Sequence, residues 1–144
     1  MKTYIPKAAD IDKKWYVVDV DGKNFGRHIV KISRILTGKN KPWYAPHIDT
    51  GDYVIIVNAK KVEISGRKRT EKKYYNYSGY PGGLKERSFG QLLERTPDRL
   101  FRRAVWGMIP KNRLGRKMLK KLFVYDGPEH PHQAQKPEPL SLGR

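Results

Sequence analysis

The sequence contains no cysteine, which excludes disulfide bonds and metal sites with thiolate ligands. It has no apolar run near the roughly 18 residues that a membrane-spanning helix requires. The first 14 residues lack the apolar core of a secretory signal. These absences fit a reducing compartment, and we expect a cytoplasmic protein.

Acidic residues are scarce as well. Among 144 residues there are 31 lysines and arginines but only 14 aspartates and glutamates, which gives a formal charge of +17. A charge of this size destabilises a compact monomer by self-repulsion and indicates a polyanionic partner. The hydrophobic fraction of 38% is lean, yet it suffices for a modest core and exceeds that of a fully disordered basic protein.

The length and the apolar pattern predict one α/β domain with extensions at both ends. Residues 1–14 are polar and form an N-terminal arm, residues 15–126 form the domain, and residues 127–144 form an extended C-terminal tail. The tail has four prolines and little apolar content, which indicates that it takes a single path only against a partner.

A strand–helix–strand unit is predicted near the start of the domain. Residues 15–20 are β-branched and aromatic, and residues 53–59 are apolar without alternation, as in a strand buried on both faces. Between them, Asn24 caps a helix with an apolar stripe, and Gly38 ends it. This order predicts a βαβ unit with parallel strands. Two further strands, the first half-exposed, are predicted at residues 60–65 and 122–125.

Two helices with clear start signals are predicted in the second half of the domain. Ser88 and Gln91 form a capping box, and Thr96 caps the next helix, which has Pro97 at its first position. The residues of the second helix that are expected to face inward are Leu100, Ala104, Val105 and Met108. The cations on its other face, beside Trp106, form what we call the arginine surface: Arg99, Arg102 and Arg103.

The most basic stretch, residues 107–121, holds six basic residues and no acid. Gly107 and Pro110 break the preceding helix, and a new helix is predicted over residues 113–121. Its cations fall at the spacing of one helical face, while its apolar residues fall on the other. A solvated lysine-rich face would show the same pattern, but the charge of the whole chain favours a polyanion. The candidate contacts of this basic-helix surface are Lys111, Asn112, Arg113, Arg116, Lys117, Lys120 and Lys121.

A second unusual stretch, residues 66–83, runs from cations directly into tyrosines. Cations suit phosphates, and tyrosine rings stack on unpaired bases or pack on sugars. The alternative is a hairpin whose Tyr75 and Tyr77 pack on the domain, and the sequence leaves that choice open. The candidate contacts of this hairpin surface are Arg67, Lys68, Arg69, Lys72, Lys73, Tyr74 and Tyr80.

The histidine pair of the tail is the one candidate for a metal site. His130 and His132 flank a proline that fixes their geometry, and no third ligand is near in the sequence. A surface pair or an RNA-contacting pair is therefore favoured, and we expect no metal site.

Four aspartates flank the two strands of the βαβ unit, as a two-metal nuclease would require. Asp19 and Asp21 end the first strand, however, while Asp49 and Asp52 precede the second, so parallel pairing separates the two pairs. Caps, turns and ion pairs explain them better. Since the sequence has no dinucleotide, phosphate-loop or nucleophile-elbow motif, we expect no enzymatic activity, no cofactor and no small-molecule substrate.

Several short motifs resemble those of one family. They are GD at residues 51–52, NA at residues 58–59, SGYPGG at residues 78–83, GMIPKN at residues 107–112, LGR at residues 114–116 and HPH at residues 130–132. The chain resembles the L13 family of large-subunit ribosomal proteins, in its bacterial form, over residues 15–137. The resemblance implies a three-layer α/β/α fold with a mostly parallel four-stranded sheet. It also implies binding to large-subunit ribosomal RNA, an early part in subunit assembly, and neighbouring large-subunit ribosomal proteins as partners.

Three other functions would share the basic charge. A DNA-binding protein would be as basic, but neither helix-turn-helix spacing nor a zinc pattern is present. An RNA-processing enzyme would need a metal or an acid–base site. A regulator that binds messenger RNA off the ribosome would use the same surface, and the sequence leaves that role open.

Overall fold

The computed structural model describes residues 4–143. Within that range the strands are β1 (Trp15–Asp19), β2 (Tyr53–Val57), β3 (Lys73–Tyr77), β4 (Leu84–Ser88), β5 (Leu122–Val124) and β6 (Glu138–Pro139). The helices are α1 (Phe25–Thr37), α2 (Lys68–Glu71), α3 (Phe89–Arg95), α4 (Pro97–Trp106) and α5 (Arg113–Leu119). Short 3-10 turns occur at Ala8–Asp10, Ala59–Lys61 and Gln133–Gln135. Among the described residues, no helix has the length and apolar content needed to cross a membrane.

Four of the strands form one sheet in the order β5–β2–β1–β6, and every neighbouring pair is parallel. The predicted βαβ unit is β1–α1–β2, whose strands pair from Trp15 with Tyr53 to Asp19 with Val57. The expected α/β fold with a mostly parallel four-stranded sheet is confirmed. The other two strands, β3 and β4, form a separate antiparallel hairpin.

The prediction of a strand at residues 60–65 is wrong. These residues contribute to a 3-10 turn and to one isolated bridge between Asn24 and Glu63. The fourth strand of the sheet is instead Glu138–Pro139, which pairs with β1 at the edge of the sheet. A proline is tolerated at such an edge because one side of the strand has no partner that needs its N–H. Part of the tail is therefore positioned by its pairing with β1. The prediction that the tail takes a single path only against a partner does not hold for this part.

Helix α1 forms from the local signals that the sequence carries. The Oδ1 atom of Asn24 accepts a hydrogen bond from the N–H of Arg27 (3.4 Å), and Gly38 ends the helix in the left-handed conformation with a φ of 81°. Its apolar stripe is buried in the core, which also takes alternate residues of the sheet. The sheet residues on this face include Val18, Val54, Ile56 and Leu122.

The second face of the sheet carries aromatic side chains that the tail covers. Trp15 stacks on Tyr53 with ring centroids 4.3 Å apart, and Phe123 lies beside it at 5.6 Å. The ring of His132 lies 4.5 Å from that of Phe123, and its Nε2 is 2.7 Å from the hydroxyl of Tyr125. The tail thus packs His132 on the face of the sheet opposite to the core face.

The inward face of α4 holds Leu100, Ala104 and Val105 as predicted, but not Met108. Met108 is 48% exposed because the helix ends at Trp106, before that residue is reached. Phe101 is fully buried instead, in line with Pro97 and Val105 at a spacing of four residues. The Thr96 side chain makes no capping hydrogen bond, whereas Pro97 does occupy the first turn and the capping box of α3 is present.

The aspartates that flank β1 and β2 act in turn hydrogen bonds and ion pairs, which are among the roles that the sequence indicates. The Oδ1 atom of Asp52 accepts hydrogen bonds from Lys41 Nζ (2.6 Å) and from the N–H of Lys14 (3.0 Å). The hydrogen bond from Asn58 lowers the pKa of the Asp19 carboxyl, and the N–H of Asp21 adds to this effect. These contacts tie the arm and the loops to the sheet.

Candidate nucleic-acid interface

Helix α5 presents the basic-helix surface on an element that is docked on the core. The Oδ1 atom of Asn112 caps it by accepting a hydrogen bond from the N–H of Gly115 (2.7 Å). Met118 is buried and Leu114 is half-buried, so this side of the helix packs inward. The exposed residues of the surface are Lys111, Asn112, Arg113, Arg116, Lys117 and Lys120.

Lys121 does not belong to this exposed face, and its assignment to the interface is wrong. Helix α5 ends at Leu119, and the chain then turns so that Lys121 is only 4% exposed. Its Nζ lies 2.5 Å from Oδ1 of Asp49 and donates to the carbonyl of Leu36 (3.1 Å). A lysine held in this way supports the fold and is unavailable to a phosphate.

Burial and charge pairing act in opposite directions on the pKa values of this pair. Burial raises the pKa of the Asp49 carboxyl, but the hydrogen bonds and charges of Lys121 and Lys13 outweigh it, so this pKa lies below its ordinary value. Burial lowers the pKa of Lys121, and the Asp49 carboxylate offsets part of that effect. The close contact between the two groups favours the ionised form of both.

The loop before α5 is held against the helix by close backbone contact. A Cβ added at Gly115 would lie 1.8 Å from the carbonyl oxygen of Pro110, so only glycine fits there. This contact fixes the GMIPKN segment relative to the helix. Lys111 and Asn112 are therefore presented together with the cations of α5.

The hairpin surface is built on α2 and on the β3–β4 hairpin. At the tip, Gly79 and Gly82 have φ values of 89° and 73°, which side chains rarely adopt. The Nζ of Lys73 lies 3.0 Å from Oε1 of Glu86, and this hydrogen bond raises the pKa of the lysine. All the predicted cations of this surface are exposed: Arg67, Lys68, Arg69, Lys72 and Lys73.

Three of the four hairpin tyrosines are exposed, and one packs against the core. Tyr75 and Tyr77 are 52% and 64% exposed, so the alternative in which they pack on the domain is wrong; Tyr80 is 75% exposed. Tyr74 is the one that packs against the core. The guanidinium carbon of Arg103 lies 5.1 Å from its ring centroid, and Lys72 Nζ lies 5.5 Å away. The ring of Tyr74 thus forms a wall of the interface.

Helix α4 brings the arginine surface beside the hairpin. Arg99 and Arg103 are exposed, whereas Arg102 is half-buried and its Nε lies 2.7 Å from Oδ1 of Asp98. Nη2 of Arg103 donates to the carbonyl of Tyr75 (3.4 Å). The arginine surface and the hairpin surface are therefore continuous.

Three polar residues of this region are not among the contacts predicted from the sequence: Asn76, Lys85 and Arg87. They line a groove between the hairpin and α4, together with Arg99 and Arg103. The register of the hairpin pairs Asn76 with Lys85 and Tyr74 with Arg87, which puts all four on one face. Lys85 and Arg87 are two residues apart, and this spacing in a strand indicates that both lie on one face. Which residues of β3 and α4 share that face can be known only from the hairpin register and the packing of the hairpin.

His132 lies against the sheet, where it contacts three aromatic rings, and the ring of His130 lies 6.5 Å from that of His132. His130 is half-buried. Among residues 4–143 there is no group of three or more histidine, cysteine or acidic side chains that could hold a metal ion. Contact of this pair with RNA stays a prediction.

The fold and these surfaces define an α/β protein whose exposed cations gather on a hairpin and two helices, a class that suits a polyanionic partner. A family model described as ribosomal protein L13 matches residues 13–131. The chain belongs to this family.

Similar proteins match almost the whole length of the chain, and each carries the name large ribosomal subunit protein uL13. One from Rubrobacter xylanophilus is 55% identical over 142 residues, or 99% of each chain. One from Aquifex aeolicus is 56% identical over 142 residues, again 99% of each. One from Thermotoga maritima is 59% identical over 141 residues, which are 98% of this chain and 95% of the relative.

Proposed function

We propose that this chain is a structural constituent of the large ribosomal subunit. In that role it binds large-subunit ribosomal RNA through its basic surfaces and aids early subunit assembly in the cytoplasm. Family membership and the names of the relatives support the ribosomal role. The observation that supports RNA contact is that the hairpin, α4 and α5 expose their cations on one domain with a packed core.

The proposed contacts are the sequence candidates without the buried Lys121. They are Arg67, Lys68, Arg69, Lys72, Lys73, Tyr74, Tyr80, Arg99, Arg102, Arg103, Lys111, Asn112, Arg113, Arg116, Lys117, Lys120, His130 and His132. Most of these side chains carry donors for phosphate and ribose oxygens, so the shape of the folded RNA supplies most of the specificity. The arm at residues 1–14 and the tail at residues 127–144 extend this contact beyond the domain at residues 15–126.

Neighbouring large-subunit proteins are further proposed partners, and no enzymatic activity is part of this function. The aspartates near β1 and β2 support this, since each is engaged in a hydrogen bond or an ion pair of the fold. Incubation of the protein and ribosomal RNA with magnesium or manganese should leave the RNA intact. Cleavage that disappears in Asp52→Ala would contradict this part of the proposal.

The proposal is tested by sedimentation of a cell lysate through a sucrose gradient. The tagged chain should travel with large subunits and with their assembly precursors, and it should stay there after a moderate salt wash. Recovery in the soluble fraction at the top of the gradient would contradict a structural role in the subunit.

A further inference from the structure

Four cations converge on the groove between the β3–β4 hairpin and α4. Two come from β4 and two from α4, and the remaining lining is neutral. The lining residues are Lys85, Arg87, Arg99, Arg103, Tyr74, Asn76, Leu92 and Leu100. In the described part of the chain no carboxylate lines this groove, so its electrostatic potential favours an anion.

Some cations near the hairpin are paired with carboxylates, but these four are not. Lys73 pairs with Glu86 at 3.0 Å, and Arg102 pairs with Asp98 at 2.7 Å. None of the four groove cations forms an ion pair within residues 4–143. Like charges held close together repel, and a bound anion would relieve that repulsion.

Arg103 is positioned before any ligand binds. Its Nη2 donates to the carbonyl of Tyr75 (3.4 Å), and its guanidinium carbon lies 5.1 Å from the centroid of the Tyr74 ring. A guanidinium group has five N–H donors, so most of them stay available. Because this side chain is already ordered, it loses little conformational freedom when an anion binds.

The size of the groove restricts what the anion can be. Its volume is about 70 Å³, roughly half of the 150 Å³ of a cavity that accommodates benzene. A nucleobase is larger than benzene, so the groove cannot enclose one. A single phosphate group fits, and its ester oxygens can leave through the open side of the groove.

We infer that this groove binds one backbone phosphate of the RNA through Lys85, Arg87, Arg99 and Arg103. The inference rests on the proposed function, since the RNA supplies the phosphodiester. It adds Lys85 and Arg87 to the interface. Recognition of this phosphate then depends on how the hairpin packs against α4, because the four cations come from both elements.

The test compares two double variants that change the net charge equally. Arg87→Gln with Arg99→Gln removes two groove cations, while Lys60→Gln with Lys61→Gln removes two lysines that do not line the groove and that pair with Asp126 and Asp21. Binding of the full chain to large-subunit ribosomal RNA is measured over a range of salt. The groove variant should bind at least about tenfold more weakly and show a salt slope smaller by about 1, and the control should change far less.

Ethylation of single phosphates along the RNA provides the second measurement. At one position, ethylation should weaken binding of the wild-type chain but have no further effect on the groove variant, because that contact is already lost. If the double variant misfolds, Arg87→Lys and Arg99→Lys serve in its place, since lysine keeps the charge but loses the two-pronged geometry.

The outcomes separate this site from the proposed function. Equal losses from the two double variants, or one ethylation pattern for wild type and groove variant, would overturn the site while RNA binding stands. Displacement of RNA by millimolar inorganic phosphate at constant ionic strength, with no position-specific ethylation effect, would assign the groove to a free anion and also overturn it. A wild-type chain that does not bind ribosomal RNA would overturn both.

Discussion

Lys121 and Asp49 form a buried ion pair that joins the loop before β2 to the start of β5. Their side chains are 5% and 13% exposed, so water contributes little to solvating either charge. Under such conditions the loss of one partner is expensive, because it leaves the other charge buried without compensation. The pair therefore stabilises the fold at the base of the basic-helix surface without taking part in it.

The substitution Lys121→Met should lower the free energy of unfolding by about 3 kcal/mol. Lys120→Met is the matched control, because Lys120 is exposed and follows the same helix. The control should stay within about 0.5 kcal/mol of the wild type. Urea unfolding monitored by circular dichroism measures both, and equal stabilities of the two variants would show that the pair contributes nothing.

The same pair makes stability depend on acid pH. Because the pKa of Asp49 is lowered in the folded state, its contribution is present above the unfolded pKa of about 3.9 and is lost as the pH falls through the folded value. The stability difference between wild type and Asp49→Asn should therefore be the same at pH 7 and pH 5 and should narrow below about pH 4. A difference that already narrows between pH 7 and pH 5 would contradict the lowered pKa.

Two helical glycines should respond in opposite ways to an added methyl group. Gly115→Ala places a Cβ 1.8 Å from the carbonyl oxygen of Pro110 and should destabilise the protein by about 2 kcal/mol or more. Gly26→Ala meets only Asn24 Oδ1 at 3.7 Å and should be neutral or stabilising by up to about 1 kcal/mol. Thermal unfolding measures the stability of both variants. A Gly115→Ala variant as stable as Gly26→Ala would contradict the close contact between residue 115 and Pro110.

The C-terminal tail is the element whose role the structure changes most. It supplies β6, and the N–H of Leu140 donates to the carbonyl of Val17 (2.8 Å). Nζ of Lys31 also donates to the carbonyl of Leu142. Together with His132 on the aromatic face of the sheet, these contacts fasten the tail along β1.

Substitution of His132 tests this attachment. His132→Ala loses contacts with the rings of Trp15 and Phe123 and the hydrogen bond to Tyr125, and it should cost about 1–3 kcal/mol of stability. His47→Ala, at an exposed loop position, is the control and should change little. Limited proteolysis should also cut the His132→Ala tail faster. Wild-type cleavage rates in that variant would mean that the tail is held elsewhere.

Elements with local signals could be predicted, and those without them could not. The caps of α1 and the capping box of α3 lie within three residues of their partners, so the sequence displays them. Strand β6 has two residues, one of them proline, and no period can be read from so short a segment. Lys121 fits the periodicity of α5, but its partner Asp49 lies 72 residues away and leaves no local trace.

The site could be predicted only as far as clustered cations reveal it. The basic-helix surface and the cations of α2 lie close together in the sequence, so composition and spacing indicate them. The groove depends on Lys85 and Arg87, which reach Arg99 and Arg103 only through the hairpin register and the packing of α3 on α4. No sequence window contains that arrangement.

At the scale of the whole molecule, the charge of +17 leaves most of the cations on the surface, while two aspartates are engaged by lysines inside. Asp49 and Asp52 are engaged by Lys121 and Lys41 in the interior. The exposed cations on the hairpin, α4 and α5 are not balanced by an equal number of carboxylates, because the chain has 31 lysines and arginines but only 14 aspartates and glutamates. An external polyanion is therefore needed to balance this charge, and binding should release the counterions that the polyanion carries.

The most direct measurement is the salt dependence of binding between the purified chain and large-subunit ribosomal RNA. We expect the logarithm of the association constant to fall with the logarithm of salt concentration with a slope of about −5 or steeper, as for six or more phosphate contacts. A variant with Lys111, Arg113, Arg116 and Lys117 changed to glutamine should bind more weakly with a slope shallower by about 3. A wild-type slope near zero, or the same slope for the variant, would contradict the account.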